Sequence, residues 1–210
     1  MLLYRQAAAF AEAEIVIEKS RFIAHVRPVE SREEAEEFFS EIRKKYRDAT
    51  HNVPAMVLGE RMQVQWGSDD GEPQGTSGAP MVQYLVNEGI TNTAVIVTRY
   101  FGGIKLGTGG LVRAYTQAAR AGLDASGISR IMEMSVYTVK MDYTHLSRLQ
   151  AGCDRYGYII RDIVYEDMVT AVLVCEPENI EQVRGFIKNM TGGKAEELSL
   201  EEGIARVPEA

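Results

Sequence analysis

The chain has 210 residues, an apolar fraction of 45% and a formal net charge of −7. This composition is typical of a globular protein, and the negative charge argues against a general affinity for nucleic acid. No apolar run has the length of a membrane span, and no basic leader precedes an apolar segment at the N-terminus. We therefore expect a cytoplasmic protein without membrane contact, long enough for two modest domains.

Charge is unevenly distributed along the sequence. Residues 1–130 carry 15 basic and 16 acidic side chains, whereas residues 131–210 carry 8 and 14. The first part can therefore present a local basic face, while the second part is acidic. The two cysteines, Cys153 and Cys175, lie in apolar periodic segments, which favours two buried thiols over a disulfide.

Two short strands are predicted near the N-terminus, at residues 15–17 and 22–26. Alternate residues of the second strand are apolar, so His25 is expected on the opposite, solvated face. A helix is expected to begin at Ser31 with a capping box, since Glu34 follows three residues later. The basic residues at the C-terminal end of this helix complement the helix dipole. We prefer this explanation of the basic cluster to the alternative, a contact with nucleic acid. The buried stripe of this helix comprises Ala35, Phe38, Phe39, Ile42 and Tyr46.

The middle of the chain is predicted to continue with a hairpin of residues 53–58 and 62–66. A short helix at residues 81–87 follows, with Pro80 in its first turn, and then a buried strand at residues 94–98. A further helix is predicted from Gly110 onward, with small and apolar residues on its buried side.

A domain boundary is predicted at residues 127–130, giving domains 1–130 and 131–210. Beyond it the pattern indicates strands at residues 135–141, 159–165, 169–175 and 194–200, with one helix between the first two and another before the last. Asn179 is expected to cap the second helix, and Gly192 and Gly193 to end it. The order βαββαβ is typical of a ferredoxin-like sandwich, so the fold class is α+β.

A glycine-rich loop between the predicted strand and helix, at residues 98–113, is the leading candidate site. Glycines permit close backbone approach, the first helical turn exposes amides, and basic side chains add charge, which together favour anion binding. A tight turn alone explains the glycines equally well. The spacing matches neither a Walker A loop nor a dinucleotide fingerprint. The candidate residues are Arg99, Gly102, Gly103, Lys105, Gly107, Gly109, Gly110 and Arg113.

A second loop, at residues 68–80, carries Asp69, Asp70 and Glu72, with Thr76 and Ser77 before the short helix. Three carboxylates could bind Mg²⁺ or act as acid and base, but acidic turns before glycine are common and the simpler explanation is preferred. The hydroxyls and amides of Thr76 and Ser77 offer a second polar concavity.

The histidines show no zinc-ligand spacing, and no nucleophile motif is visible. We therefore expect no metal and no cofactor, and we assign no catalytic residue. His51 begins a predicted strand and is expected to make one local hydrogen bond.

Residues 49–60, 68–81 and 95–115 closely resemble the IMPACT/YigZ family in order, spacing and composition. The resemblance covers nearly the whole chain. It implies a first domain with the fold of domain IV of elongation factor G and the GHMP kinases, and a tail similar to domain V. Eukaryotic relatives carry an extra N-terminal domain and restrain a starvation-sensing kinase, and this chain has no room for that domain. Several relatives have a basic residue where this chain has Ala79.

Three functions follow from these observations. The first is a regulator of translation that binds RNA or the ribosome through the N-terminal domain. The second is a binding protein or enzyme of GHMP-kinase-like fold for a nucleotide or a phosphorylated small molecule. The third is a protein-interaction module whose partners dock on the acidic C-terminal domain. Binding is favoured over catalysis.

Overall fold

The computed structural model describes residues 1–209. These residues form five α-helices and ten strands, and the strands form two five-stranded sheets. The chain divides into two compact units. The N-terminal unit comprises residues 4–131 and 207–209, and the C-terminal unit comprises residues 1–3 and 132–206. The fold is thus mixed α and β, with two sheets.

The sheet of the N-terminal unit is antiparallel and has the order β2-β3-β6-β4-β5. Helix α1 covers one face, and helices α2 and α3 cover the other, so the central strands are buried on both sides. The helices and strands between residues 2 and 126 are β1 (Leu2–Ala7), which belongs to the other sheet, β2 (Ala11–Ile17), β3 (Ser20–Pro28), α1 (Arg32–Lys45), β4 (His51–Leu58), β5 (Val64–Gly67), α2 (Gly78–Asn87), β6 (Thr93–Tyr100) and α3 (Gly107–Ser126).

The predicted start of α1 is confirmed in part. The Ser31 hydroxyl accepts a hydrogen bond from the Glu34 amide at 3.1 Å, but the Glu34 carboxylate accepts from the Glu30 amide instead of closing the box on Ser31. The predicted stripe packs against the sheet, where Phe38, Phe39 and Ile42 are buried. Burial of this stripe is what fixes α1 on the sheet.

His25 is a correction, because its side chain is fully buried instead of solvated. Its Nδ1 lies 2.8 Å from a carboxylate oxygen of Glu12, and its Nε2 lies 3.2 Å from the Thr98 hydroxyl. The alternation in β3 predicts one buried and one solvated face. Helix α1 covers the second face, which alternation within one strand does not reveal.

The hairpin, α2 and the buried strand β6 are confirmed; β4 and β6 are longer than predicted, whereas β5 begins two residues later. Strand β1 was not predicted. Helix α3 begins at Gly107 instead of Gly110, so its first turn contains three of the glycines. Gly127 ends α3, and the chain continues directly into β7 (Ile128–Met141) without an irregular linker.

The C-terminal unit has the predicted order βαββαβ. The second five-stranded sheet has the order β1-β7-β9-β8, with β10 also pairing with β7, and α4 and α5 cover one face. Asn179 occupies the predicted N-cap position of α5, but its side chain makes no capping hydrogen bond, because the preceding 3₁₀ turn places Asn179 in the helical region. Gly192 and Gly193 follow α5 at positive φ, as predicted. The remaining elements are α4 (Leu146–Tyr156), β8 (Tyr158–Tyr165), β9 (Val169–Cys175), α5 (Ile180–Met190) and β10 (Glu196–Pro208).

Both cysteines are free thiols, Cys175 buried and Cys153 half-buried. Among residues 1–209, no helix has the length and apolar character needed to cross a membrane.

Candidate functional site

A cleft of about 420 Å³ lies in the N-terminal unit where α3 begins. One wall is formed by the glycine-rich loop and the first turn of α3, and the opposite wall by the start of β4 and the acidic loop. Both candidate loops, separate in the sequence, therefore face one cleft. Strands β4 and β6 pair antiparallel, with His51 opposite Arg99, and this pairing brings the loops together.

The loop that connects β6 to α3 is shorter than the glycine pattern suggested. Only Gly102 and Gly103 lie in it. A side chain at Gly102 would place its Cβ 2.0 Å from the carbonyl carbon of Lys19, so the loop passes against the β2–β3 turn as only glycine permits. Gly103 and Gly107 have φ values of +85° and +69°, which also favour glycine.

The N-terminus of α3 has no side-chain cap. Leu106 precedes it, and no acidic residue lies in its first turn. The amides of the first turn have no partner within the helix, and Gly107, Thr108 and Gly109 are exposed. The partial positive charge of a helix N-terminus adds to these donors.

Lys105 and Arg113 flank this N-terminus, and both side chains are exposed. Neither forms an ion pair within the part of the chain that the structure describes. Both line a second depression, which includes Leu106, and Lys105 lines the cleft as well. The two cations are thus available to an external anion.

Arg99, by contrast, is not a free cation of the loop. It lies on β6 with only 6% of its side chain exposed, and its Nη1 is 2.6 Å from a carboxylate oxygen of Glu72. Its Nε is buried without a hydrogen-bond partner. The pair places a nearly neutralised, fixed guanidinium at the floor of the cleft.

Tyr115 completes this buried cluster from α3. Its hydroxyl donates to the same Glu72 oxygen at 2.7 Å. Burial, together with this carboxylate, raises the pKa of Tyr115 above its ordinary value, so the phenol stays protonated. The cluster therefore ties the acidic loop, β6 and α3 to one another.

His51 makes a side-chain hydrogen bond, but to a residue 19 positions away and not to a local partner as predicted. Its Nδ1 lies 2.7 Å from the carbonyl oxygen of Asp70, which can only accept, so Nδ1 carries the proton. Its Nε2 is 3.9 Å from the Glu72 carboxylate and borders the cleft. The ring thus presents Nε2 to the cleft.

The three acidic residues of the second loop do not converge. Asp70 accepts from the amide of Asn52 at 2.6 Å, and Glu72 is paired with Arg99. Asp69 accepts from the amides of Gly75, Ser77 and Gly78 at 2.7, 3.1 and 3.0 Å. Within residues 1–209, no group of three or more His, Cys, Asp or Glu side chains has a metal-binding arrangement.

Asp69 acts as the cap of α2. Ser77 also donates its hydroxyl to Asp69, at 2.7 Å, and Thr76 donates its hydroxyl to the carbonyl of Pro73. Burial would raise the pKa of Asp69, but these hydrogen bonds outweigh it and the pKa is lowered. The polar groups of Thr76 and Ser77 are therefore used within the loop and are both buried.

Sequence reasoning missed the apolar members of the site. Phe101 and Ile104 are 46% and 38% exposed, and the Arg99 guanidinium lies 5.5 Å from the Phe101 ring centroid. The sequence signal that could have identified them is the presence of large apolar residues inside a glycine-rich loop, because such a loop has no core to bury them. Phe101 gives the cleft an aromatic rim.

Comparison with known proteins now adds the family. Residues 18–123 match the Impact N-terminal domain, and residues 139–194 match the Domain of unknown function (DUF1949). The IMPACT family member YvyE of Bacillus subtilis is 39% identical, over 88% of this chain and 85% of that protein. YigZ of Escherichia coli, named as a member of the same family, is 33% identical over 89% and 92%.

A solved crystal structure of a hypothetical protein is also similar. It is 30% identical, with a TM-score of 0.59, over 96% of this chain and 98% of that one. The sequence matches extend through both units in a single order. The chain therefore belongs to the IMPACT family, in the two-domain form of its bacterial members.

Proposed function

We propose that the protein is a cytoplasmic, translation-associated factor that binds RNA, free or within the ribosome, through the cleft at the start of α3. The observation that carries this proposal is the uncapped N-terminus of α3 between two unpaired cations, beside an exposed aromatic ring. The helix N-terminus and the cations can bind phosphate, and the aromatic ring beside them can stack on a base.

The phosphate contact rests on the amides of Gly107, Thr108 and Gly109. These donors point away from the helix, carry the dipole's positive end and have no competing carboxylate in the first turn. Lys105 and Arg113 can add charge-assisted hydrogen bonds to neighbouring phosphates. A short stretch of backbone, two or three phosphates long, fits such a set of donors.

The base contact rests on Phe101. Exposed aromatic rings beside basic residues are a common platform for unstacked bases of single-stranded RNA. The Arg99 guanidinium lies 5.5 Å from the centroid of the Phe101 ring, and this cation–π contact stabilises the ring at the cleft. A helix N-terminus without such a ring would suit any phosphate, so Phe101 is what favours nucleic acid.

Charge and family support a selective contact in translation. Residues 1–130 carry a net charge of only −1, so binding should neutralise few phosphates and depend weakly on salt. The translational part of the proposal draws on the resemblance of the two domains, inferred from sequence, to domains IV and V of elongation factor G. In this view the C-terminal unit is the ferredoxin-like domain.

Binding of a labelled single-stranded RNA, followed by fluorescence anisotropy at low salt, tests the proposal. Lys105→Glu and Arg113→Glu should each weaken binding by about 3- to 10-fold, and Phe101→Ala by a similar factor. Arg120→Glu is the matched control, because it reverses a charge on the same helix at an exposed position away from the cleft. Cosedimentation with ribosomes is the parallel assay. Absence of binding in both assays would refute the proposal.

A second candidate is a binding protein or enzyme for a nucleotide or phosphorylated small molecule. The observation in its favour is the cleft itself, whose volume of about 420 Å³ is in the range of small-molecule sites. His51, Glu72 and Arg99 supply a few fixed polar groups in its wall. A thermal shift panel of nucleotides and phosphorylated metabolites separates the two candidates. Stabilisation by one such molecule that also displaces RNA would favour this function, and a flat panel would count against it.

A further inference from the structure

Strand β8, residues Tyr158–Tyr165, lies at the edge of its sheet. In the part of the chain that the structure describes, it pairs with β9 and with no other strand. Three of its apolar side chains are exposed: Ile159 by 59%, Val164 by 44% and Tyr165 by 60%. An exposed apolar edge strand is a template for another strand, and it is usually shortened, covered or protected by charge.

The sequence of β8, YIIRDIVY, is symmetric about its midpoint between Arg161 and Asp162. Residues at equal distances from this midpoint are alike in size and polarity, and the two at the centre carry opposite charges. From the outside inward, the pairs are Tyr158 with Tyr165, Ile159 with Val164, Ile160 with Ile163, and Arg161 with Asp162.

A second copy can pair with β8 only if facing residues lie on the same face of the sheet. When two identical strands run antiparallel about a two-fold axis at this midpoint, each residue faces the residue of the second copy that lies equally far on the other side of the midpoint. In a regular strand Ile160 and Ile163 are three positions apart and lie on opposite faces. In a regular β8 the symmetric residues would therefore lie on opposite faces of the sheet and could not face each other across a two-fold axis.

The bulge in β8 removes this obstacle. The register shifts between Ile160 and Asp162, so that Arg161 is the extra residue. As a result Ile160 lies opposite Leu173 and Ile163 lies opposite Ala171. Both Leu173 and Ala171 belong to the core beneath α4 and α5, so Ile160 and Ile163 share the helix-covered face.

The outer pair is matched in the same way. Ile159 lies opposite Val174 and Val164 lies opposite Thr170, on the face away from the helices. Since both residues are largely exposed, their apolar side chains would gain contacts from a second strand. The bulge thus brings each symmetric pair onto one face.

We propose that β8 pairs antiparallel with β8 of a second copy of this chain, about a two-fold axis between Arg161 and Asp162. Each Arg161 then faces Asp162 of the second copy, so two ion pairs form at the centre. Neither residue has an ion pair within residues 1–209. Asp162 accepts only a hydrogen bond from the neighbouring Ile163 amide, at 2.8 Å. The dimer does not depend on RNA binding.

A competing explanation is that the bulge and the central charges protect the edge against pairing. Protection of the strand edge against pairing needs only charged residues, and neither their sign nor their order matters. The neighbouring opposite charges and the matched apolar pairs are required only by a two-fold partner. Charge reversal separates the two explanations.

Sedimentation equilibrium of the full chain over a wide concentration range tests the proposal. The wild type should approach twice the chain mass of 23.4 kDa as concentration rises. Arg161→Asp and Asp162→Arg should each remain monomeric, because each places like charges opposite each other twice. An equimolar mixture of the two variants should regain the doubled mass, because both contacts are again of opposite sign.

Arg148→Asp, an exposed charge reversal on α4, is the matched control and should dimerise like the wild type. Circular dichroism establishes that the variants fold, and the mixture tests the contact even if each variant is less stable. A wild type that stays monomeric at every concentration would overturn the proposal. A dimer that both reversals leave intact, or a mixture that stays monomeric, would overturn it as well.

Discussion

The guanidinium of Arg99 lies 2.6 Å from the carboxylate of Glu72, and both side chains are more than nine-tenths buried. This pair joins β6 to the acidic loop, and the Tyr115 hydroxyl joins α3 to the same carboxylate. The cleft is therefore built around a fixed polar cluster, and the exposed Lys105 lies in its wall.

Removing Glu72 should strongly destabilise the N-terminal unit. Glu72→Ala leaves the Arg99 charge buried without a partner, and breaking such a pair costs about 3–5 kcal/mol. Urea denaturation measures the loss. Glu14→Ala, which removes an exposed partner of Arg21, is the control and should change stability little. Equal effects of the two substitutions would show that the buried pair has no structural role.

Asp69→Ala should destabilise α2 and the loop before it. Four donors, among them the Ser77 hydroxyl, lose their acceptor, and loss of a helix cap costs about 2 kcal/mol at most in comparable cases. Glu60→Ala, at an exposed turn of the same unit, is the control. If thermal unfolding responded equally to both, Asp69 would not be the cap inferred from its contacts.

Stability should fall as the pH is lowered below about 6.5. Burial lowers the pKa of His25 from 6.5, although Glu12 opposes this shift. The unfolded chain therefore binds a proton at a pH where folded His25 does not, and stability is lost as pH falls from the unfolded pKa toward the folded one. Denaturation curves at several pH values should show a shallower decline for His25→Gln. An identical decline in both proteins would contradict the assignment.

The glycines of the loop should differ sharply in their tolerance of alanine. Gly102→Ala places a Cβ against the backbone of Lys19 and should cost about 1–3 kcal/mol. At Gly109 the nearest atom would be Arg113 Nη1 at 3.7 Å, so Gly109→Ala should be neutral or stabilising by up to about 1 kcal/mol. Thermal melting compares them. A stable Gly102→Ala variant would mean that the loop does not pass this turn closely.

The periodicity of the sequence predicted the element order well, because each helix and most strands bury one continuous face. The βαββαβ order of residues 135–200 is the best example, since its helices show clear apolar stripes. His25 was misplaced because burial of the second face of β3 depends on α1, which is distant in sequence. Strand β1 has no clear alternation of its own, so nothing local marked it.

The site was predicted only in outline. Glycines and cations marked the start of α3, but which cations are free depends on pairings between distant residues. Arg99 meets Glu72 across 27 positions, and His51 meets Asp70 across 19. Such contacts follow from strand register, which composition and spacing do not specify.

The most direct test of the proposed function is an NMR titration of the amide-labelled protein with a short single-stranded RNA. We expect the amides of Gly107, Thr108, Gly109 and Gly110 to shift first and furthest, together with those of Phe101 and Lys105, because these groups would meet phosphate and base. Shifts that are absent there, or that concentrate elsewhere in the chain at saturating RNA, would contradict the proposal.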